Sequence, residues 1–108
     1  MRSRTNDKFY SSKKWIRKRN NILRRDQYEC RECRRYGKTT QATTVHHIFP
    51  LEFYPEFKLS EINLLSLCNE CHEKMHNRFT NELTAKGINW INRIKDQLHE
   101  PPTPNGGK

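Results

Sequence analysis

Residues 68–76 read Cys-Asn-Glu-Cys-His-Glu-Lys-Met-His, and most of the fold follows from their spacing. Cys68 and Cys71 form a Cys-x-x-Cys knuckle, and Cys30 and Cys33 form a second one. Two knuckles in a chain of 108 residues point to a tetrahedral structural zinc, because thiolates suit Zn2+ and each knuckle presents two sulfurs to one ion. Two disulfides are the alternative. Met1 to Tyr10 carries charges with no apolar stretch behind it. A secretory leader is therefore not expected, and a reducing compartment disfavours disulfides. The 34 residues between the knuckles exceed the usual gap, so a functional insertion is expected there.

The same stretch places His72 and His76 four apart, on one face of a helix expected over Glu70 to about Phe79. Cys71 and His72 are neighbours on that helix, about 100° apart in direction, and cannot easily reach the same ion. The sequence therefore implies two metals. One is the four-cysteine zinc, and the other is held by His72, His76 and one of the adjacent pair His46 and His47. Adjacent side chains on a strand point to opposite faces, so one of that pair can bind while the other stays free. A free histidine beside a divalent ion suits general-base work. Three protein ligands and an open position describe a catalytic site rather than a structural one.

Outward from these residues, Gln41 to Ile48 is β-prone and ends in the histidine pair, and Asn63 to Cys68 suits a second strand. Pro50 to Ser60 holds two prolines and three aromatics and reads as an irregular loop packed by its own rings. Ser12 to Arg25 reads as an amphipathic helix capped by Ser11 or Ser12, with Trp15, Ile16, Ile22 and Leu23 along one stripe. Ile88, Ile91, Ile94 and Leu98 mark a last amphipathic helix, closed by Pro101 and Pro102.

Charge is uneven along the chain. Residues 1–38 carry 14 Lys/Arg against 4 Asp/Glu, a net of +10, whereas residues 39–108 are nearly neutral and the whole is +9. Such a block is the footprint of a polyanion, nucleic acid first. It leaves Lys13, Lys14, Arg17, Lys18, Arg24 and Arg25 of the first helix for phosphate contact. With 32% hydrophobic residues the core is thin and a metal staple is expected to supplement it. No run approaches the ~20 apolar residues of a membrane span.

Val45-His46-His47-Ile48, Asn63 to Cys68 (Asn-Leu-Leu-Ser-Leu-Cys), Cys71-His72 and His76 together resemble the HNH endonuclease family. The likeness is to its small cysteine-bearing members from bacteriophages and prophages. The lead-in Phe9-Tyr10, Trp15, Arg19, Leu23, Arg25-Asp26, Tyr28 and Cys30-x-x-Cys33 is similar to that group as well. The resemblance runs from about Phe9 to Phe79. It implies an α+β chain built on a small ββα-metal, treble-clef-like domain, stapled by the four-cysteine zinc and flanked by the basic helix and the C-terminal helix. On that likeness residues 9–100 are the nuclease domain, between a flexible basic N-terminus over 1–8 and a disordered Pro/Gly tail over 101–108.

The resemblance also implies roles. His47 matches the general base, His46 the first metal ligand (a position held by Asp in many members), and His72 and His76 the remaining ligands. Asn63 matches the family's middle letter, which fixes the loop and orients the base. The usual Gly-rich loop is replaced by Phe53-Tyr54-Pro55-Glu56-Phe57, and nothing carries over there. Double-stranded DNA is the implied substrate, nicked by a monomer. The implied setting is the bacterial host cytoplasm, with phage terminase and portal as packaging partners. Imidazole ligands favour Zn2+, Ni2+, Mn2+ or Co2+ over Mg2+. The rival reading is a zinc-stapled nucleic-acid-binding module without catalysis. A zinc deaminase is excluded: it needs His-x-Glu and Pro-Cys-x-x-Cys, whereas His46 precedes His47-Ile48 and Leu67 precedes Cys68.

Overall fold

The basic segment forms helix α1 (Lys13–Arg25) in a computed structural model that describes residues 8–98. The expected tail over 101–108, the expected flexible N-terminus except Lys8, and the closing prolines lie outside the described residues. The Ser12 hydroxyl caps α1 by accepting from the Trp15 N–H at 3.1 Å. Trp15, Ile22 and Leu23 are buried. Ile16, expected in the same stripe, lies at its edge, about 100° round from Trp15, and is 46% exposed.

Asp26 ends α1, and Gln27 and Tyr28 turn the chain with φ of 60° each. Helix α2 (Arg31–Arg35) follows, begun by Cys30, whose sulfur accepts from the Cys33 N–H. Gly37, at φ 75°, ends it in the left-handed conformation that favours glycine.

Strands β1 (Thr44–His47) and β2 (Leu64–Leu67) pair antiparallel, with Thr44 opposite Leu67, Val45 opposite Ser66, His46 opposite Leu65 and His47 opposite Leu64. Both are shorter than the sequence predicts. The Ala42 N–H bonds outside the sheet, to the Tyr28 carbonyl, and Asn63 belongs to a 3-10 turn (Glu61–Asn63). Alternation sends Val45 and Leu64 into a cluster with Trp15, Ile22, Leu23 and Ala42. It sends Leu65 and Leu67 into a second cluster with Cys30, Cys33, Cys68, Met75, Trp90 and Ile94. A sheet covered on both faces explains why all four β2 residues are buried. The intervening loop does pack on its own rings, with Phe49 at 5.0 Å from Tyr54 and 6.0 Å from Phe57.

Helix α3 (Asn69–Glu73) is far shorter than the span to Phe79 that periodicity suggests. Met75 is fully buried, and its carbonyl accepts the Thr84 N–H. The Thr84 hydroxyl donates to the Lys74 carbonyl at 2.6 Å, and His76 forms a β-bridge with Leu83. The Asn77 carboxamide oxygen accepts from the Phe79 and Thr80 N–H groups and replaces the next helical turn with a side-chain-held one. His72 and His76 are therefore not neighbours on one helix.

Helix α4 (Ala85–Ile94) starts at Thr84, whose hydroxyl accepts from the Gly87 N–H. A Cβ on Gly87 would stand 2.6 Å from the Met75 carbonyl oxygen, so glycine permits this close approach. The buried face is Gly87, Trp90 and Ile94, while Ile88, expected inside, is 46% exposed. Trp90 takes its place because the indole N–H finds an acceptor in Glu32 at 2.8 Å. The helix ends at Ile94, and Leu98 packs against the core from beyond it. Among the described residues no helix is long and apolar enough to cross a membrane.

Two buried carboxylates fasten these pieces. Glu32 accepts from Trp90, Lys86 and Arg35 and ties α4 to α2. Asp26 accepts from Arg25, Arg31 and the Ser66 N–H and ties α1 to β2. Burial pushes the Asp26 carboxyl up, but hydrogen bonds from Arg25 and Ser66 and the Arg25 charge outweigh it and hold the pKa below the ordinary 3.8. A depressed folded pKa gives stability that is full above 3.8 and is lost as pH falls through the lower folded value. Asp26→Ala is expected to cost about 3 kcal/mol in denaturant unfolding at neutral pH. Its difference from the wild type should shrink as the pH is taken below 3.8.

Candidate active groove and metal centre

The four cysteines converge from two helix starts. Cys30 precedes α2 and Cys68 precedes α3, and each knuckle's second cysteine lies within the first turn of its helix. All four sulfurs lie within 4.8 Å of one another, in a group able to hold a metal ion. Cys33 Sγ is 3.6 Å from Cys71 Sγ and 4.0 Å from Cys68 Sγ. These edges match the ~3.8 Å expected of a tetrahedron with Zn–S bonds of ~2.3 Å. All four thiols are free, and three are buried. The sulfurs thus form one cluster rather than two disulfides. Burial pushes the Cys30 and Cys71 thiols up, so thiolates packed this closely call for a cation.

His46, His47, His72 and His76 lie along an open groove of about 680 Å³. His46 shares its face of the sheet with Leu65, toward α3, and its ring stands 5.5 Å from that of His72 and 5.6 Å from that of His76. Among the described residues only the cysteines meet the tighter 4.8 Å spacing of ligand atoms. His46 Nε2 is buried and has no hydrogen-bond partner. A buried nitrogen without a partner is costly, and a metal ion is one group that would satisfy it. Burial pushes all three imidazoles below 6.5, and the neighbouring histidines add to this at His46 and His72. At neutral pH the rings offer lone pairs rather than charge.

His47 turns to the opposite face. Trp15 stacks on its ring at 5.0 Å and 24°, with Phe9 and Tyr10 each at 6.0 Å. His47 Nε2 lies 3.0 Å from the Lys58 carbonyl oxygen. A carbonyl only accepts, so in the neutral ring Nε2 carries the proton and Nδ1 keeps the lone pair. The Tyr10 hydroxyl stands 3.4 Å from Nδ1. Asn63 reaches no groove atom. Its side-chain oxygen accepts from the Phe49 N–H at 2.7 Å, and its NH2 donates to the Phe49 and Phe57 carbonyls. Phe57 precedes Lys58, so Asn63 holds the loop whose carbonyl meets the His47 ring.

The basic residues divide. Lys13, Lys14 and Arg17 are exposed along α1. Lys18 pairs with Glu61, and Arg24 donates to Asn21. Arg25 is exposed but donates to Asp26 and to the Glu61 and Leu64 carbonyls, so its guanidinium ties parts of the fold together and is not the free phosphate contact expected. Arg19 instead lines the groove, held by the Thr43 carbonyl at 3.1 Å. Its position four after Trp15 carried the signal, since the two share a helix face. Arg78, also at the groove, had none, because the turn that carries it is built by Asn77.

A model of the HNH endonuclease family matches residues 30–78. Among solved structures, the chain is similar to the HNH endonuclease of the deep-sea thermophilic bacteriophage GVE2, a crystal structure with manganese ion. The identity is 39% and the TM-score 0.63, over 64% of this chain and 75% of that one. No curated protein sequence matches the chain.

The sulfur cluster predicts one tightly held metal ion that survives gel filtration of the wild type. Cys33→Ser should lose it and melt well below the wild type, as followed by elemental analysis and thermal unfolding.

Proposed function

The chain belongs to the HNH endonuclease family, and we propose that it hydrolyses phosphodiester bonds of double-stranded DNA with one divalent ion, cutting one strand per encounter. The observation that carries this reading is the buried, partnerless Nε2 of His46 on the groove that His47 also lines. In the proposal Zn2+ fills the cysteine cluster, while His46, His72 and His76 hold the second ion. That ion, when bound, supplies positive charge that stabilises the transition-state phosphate and the leaving oxygen.

The rest is work for the chain. His47 Nδ1 takes a proton from water, with Nε2 anchored on Lys58. The water oxygen bonds to phosphorus as the bond to the 3′ oxygen breaks, and solvent returns a proton to that oxygen. Trp15 keeps the imidazole plane fixed, and Asn63 keeps its anchor in place. Arg19 and Arg78 offer guanidinium groups to the phosphates on either side, and the exposed Lys13, Lys14 and Arg17 hold backbone further along α1 without reading sequence. One histidine-bearing groove among the described residues makes a nick the product of a monomer.

A phage setting extends the reading: a nuclease in the host cytoplasm, beside terminase and portal during DNA packaging. Its support is the bacteriophage source of the similar structure, and co-purification with terminase or portal subunits checks it.

Supercoiled plasmid incubated across a divalent-metal series tests the catalytic claim. The wild type should convert it to open circles, with Mn2+, Ni2+, Co2+ or Zn2+ supporting more cleavage than Mg2+. His47→Ala should lower the rate by about 10²–10⁴-fold while DNA affinity stays near the wild type. Absence of cleavage by the wild type with every ion would favour the binding module instead.

A further inference from the structure

A second groove, of about 590 Å³, shares no lining residue with the first. Five arginines line it, Arg25, Arg31, Arg34, Arg35 and Arg93, and no carboxylate does so among the described residues. The acids nearest these arginines are already shared. Asp26 serves Arg25 and Arg31, Glu32 serves Arg35 and Lys86, and Glu29 serves Arg34. With Arg93, six cations stand against three carboxylates, which leaves the cluster three charges positive. Arg93 has no ion pair or hydrogen bond among the described residues. Its guanidinium lies over the Trp90 ring at 5.4 Å, and that of Arg31 lies 5.9 Å from the same ring. The ring holds both planar groups in place while leaving most of their N–H donors unused.

We propose that this groove is a second phosphate-backbone subsite, which holds DNA flanking the segment in the catalytic groove. The inference rests on DNA being the substrate. Helix α1 joins the two places: Arg19 lines the first groove, and Arg25 lines the second about 9 Å further along the axis. A duplex lying along the exposed cations of α1 would reach both. Guanidinium forks suit phosphate oxygens bidentately, and the arginines here are concentrated in the block that carries the +10. Arg31, Arg34, Arg35 and Arg93 carry the subsite, with Arg25 beside them as a tie to Asp26, Glu61 and Leu64.

The test measures the affinity of the intact chain, in a His47→Ala background, for a duplex of about 30 base pairs as a function of salt. Removing one cation that neutralises a phosphate should flatten the slope of log K against log salt by about 0.9. Arg93→Gln and Arg34→Gln are each expected to weaken binding several-fold and to flatten the slope by that amount, with the melting temperature checked alongside. Lys95→Gln, the same charge change on the end of the same helix but outside the groove, should leave the slope unchanged. The inference is overturned if the arginine variants keep the parent slope while the parent binds, or if Lys95→Gln flattens it equally. In the first case the groove would be left to an acidic protein partner. If the parent itself shows no salt-dependent binding, the DNA reading has failed rather than the subsite alone.

Discussion

The convergence of four thiols is the constraint on which the rest of this molecule depends. It pins residues 30–33 to residues 68–71 and so closes a loop that contains both strands and the whole of the 49–63 segment. Cys30 and Cys68 also serve as the first residues before α2 and α3, so one cluster sets where two helices begin. In a chain with 32% hydrophobic residues, split between two small clusters, burial alone gives little margin. A bound ion would add its binding free energy to folding.

From that clip the site follows by the geometry of a strand. β1 ends in two histidines, and a period of two sends them to opposite faces. His46 meets His72 and His76 on the α3 side, where burial strips it of water and leaves one nitrogen without a partner. His47 meets Trp15 and the Lys58 carbonyl on the other side, which fixes ring plane and tautomer together. One dipeptide thus places its two rings in two different environments because the sheet is covered on both faces. The α1 helix contributes from both halves: Trp15 and Arg19 at the groove, Arg25 and Asp26 in the scaffold.

Much of this is legible in the sequence, and the exceptions have physical causes. Spacing is enough for the cysteine cluster, for the basic helix with a serine cap at Ser11 or Ser12, and for the opposite faces taken by His46 and His47. The reach of α3 is not legible, because the His72 to Phe79 stretch has helical spacing while Asn77 and Thr84 supply competing hydrogen bonds from side chains. Periodicity turns α4 toward Ile88, whereas the buried position of Trp90 depends on Glu32, 58 positions away. Asp26 and Glu32 leave no periodic signal, since a buried carboxylate looks like a surface one until its arginines are placed. Arg25 escapes for the same reason: charge alone assigns it to phosphate, and only the fold brings Asp26 and the Glu61 and Leu64 carbonyls to its guanidinium.

The central claim is that the chain carries two separate metal sites, a sulfur cluster that holds the fold and an imidazole set that serves the groove. Native mass spectrometry of the metal-loaded wild type and of His46→Ala, with thermal unfolding of both, measures this directly. Two ions on the wild type, and one on His46→Ala at a nearly unchanged melting temperature, is the expected result. A single ion on the wild type, or a His46→Ala variant that retains both, would contradict it.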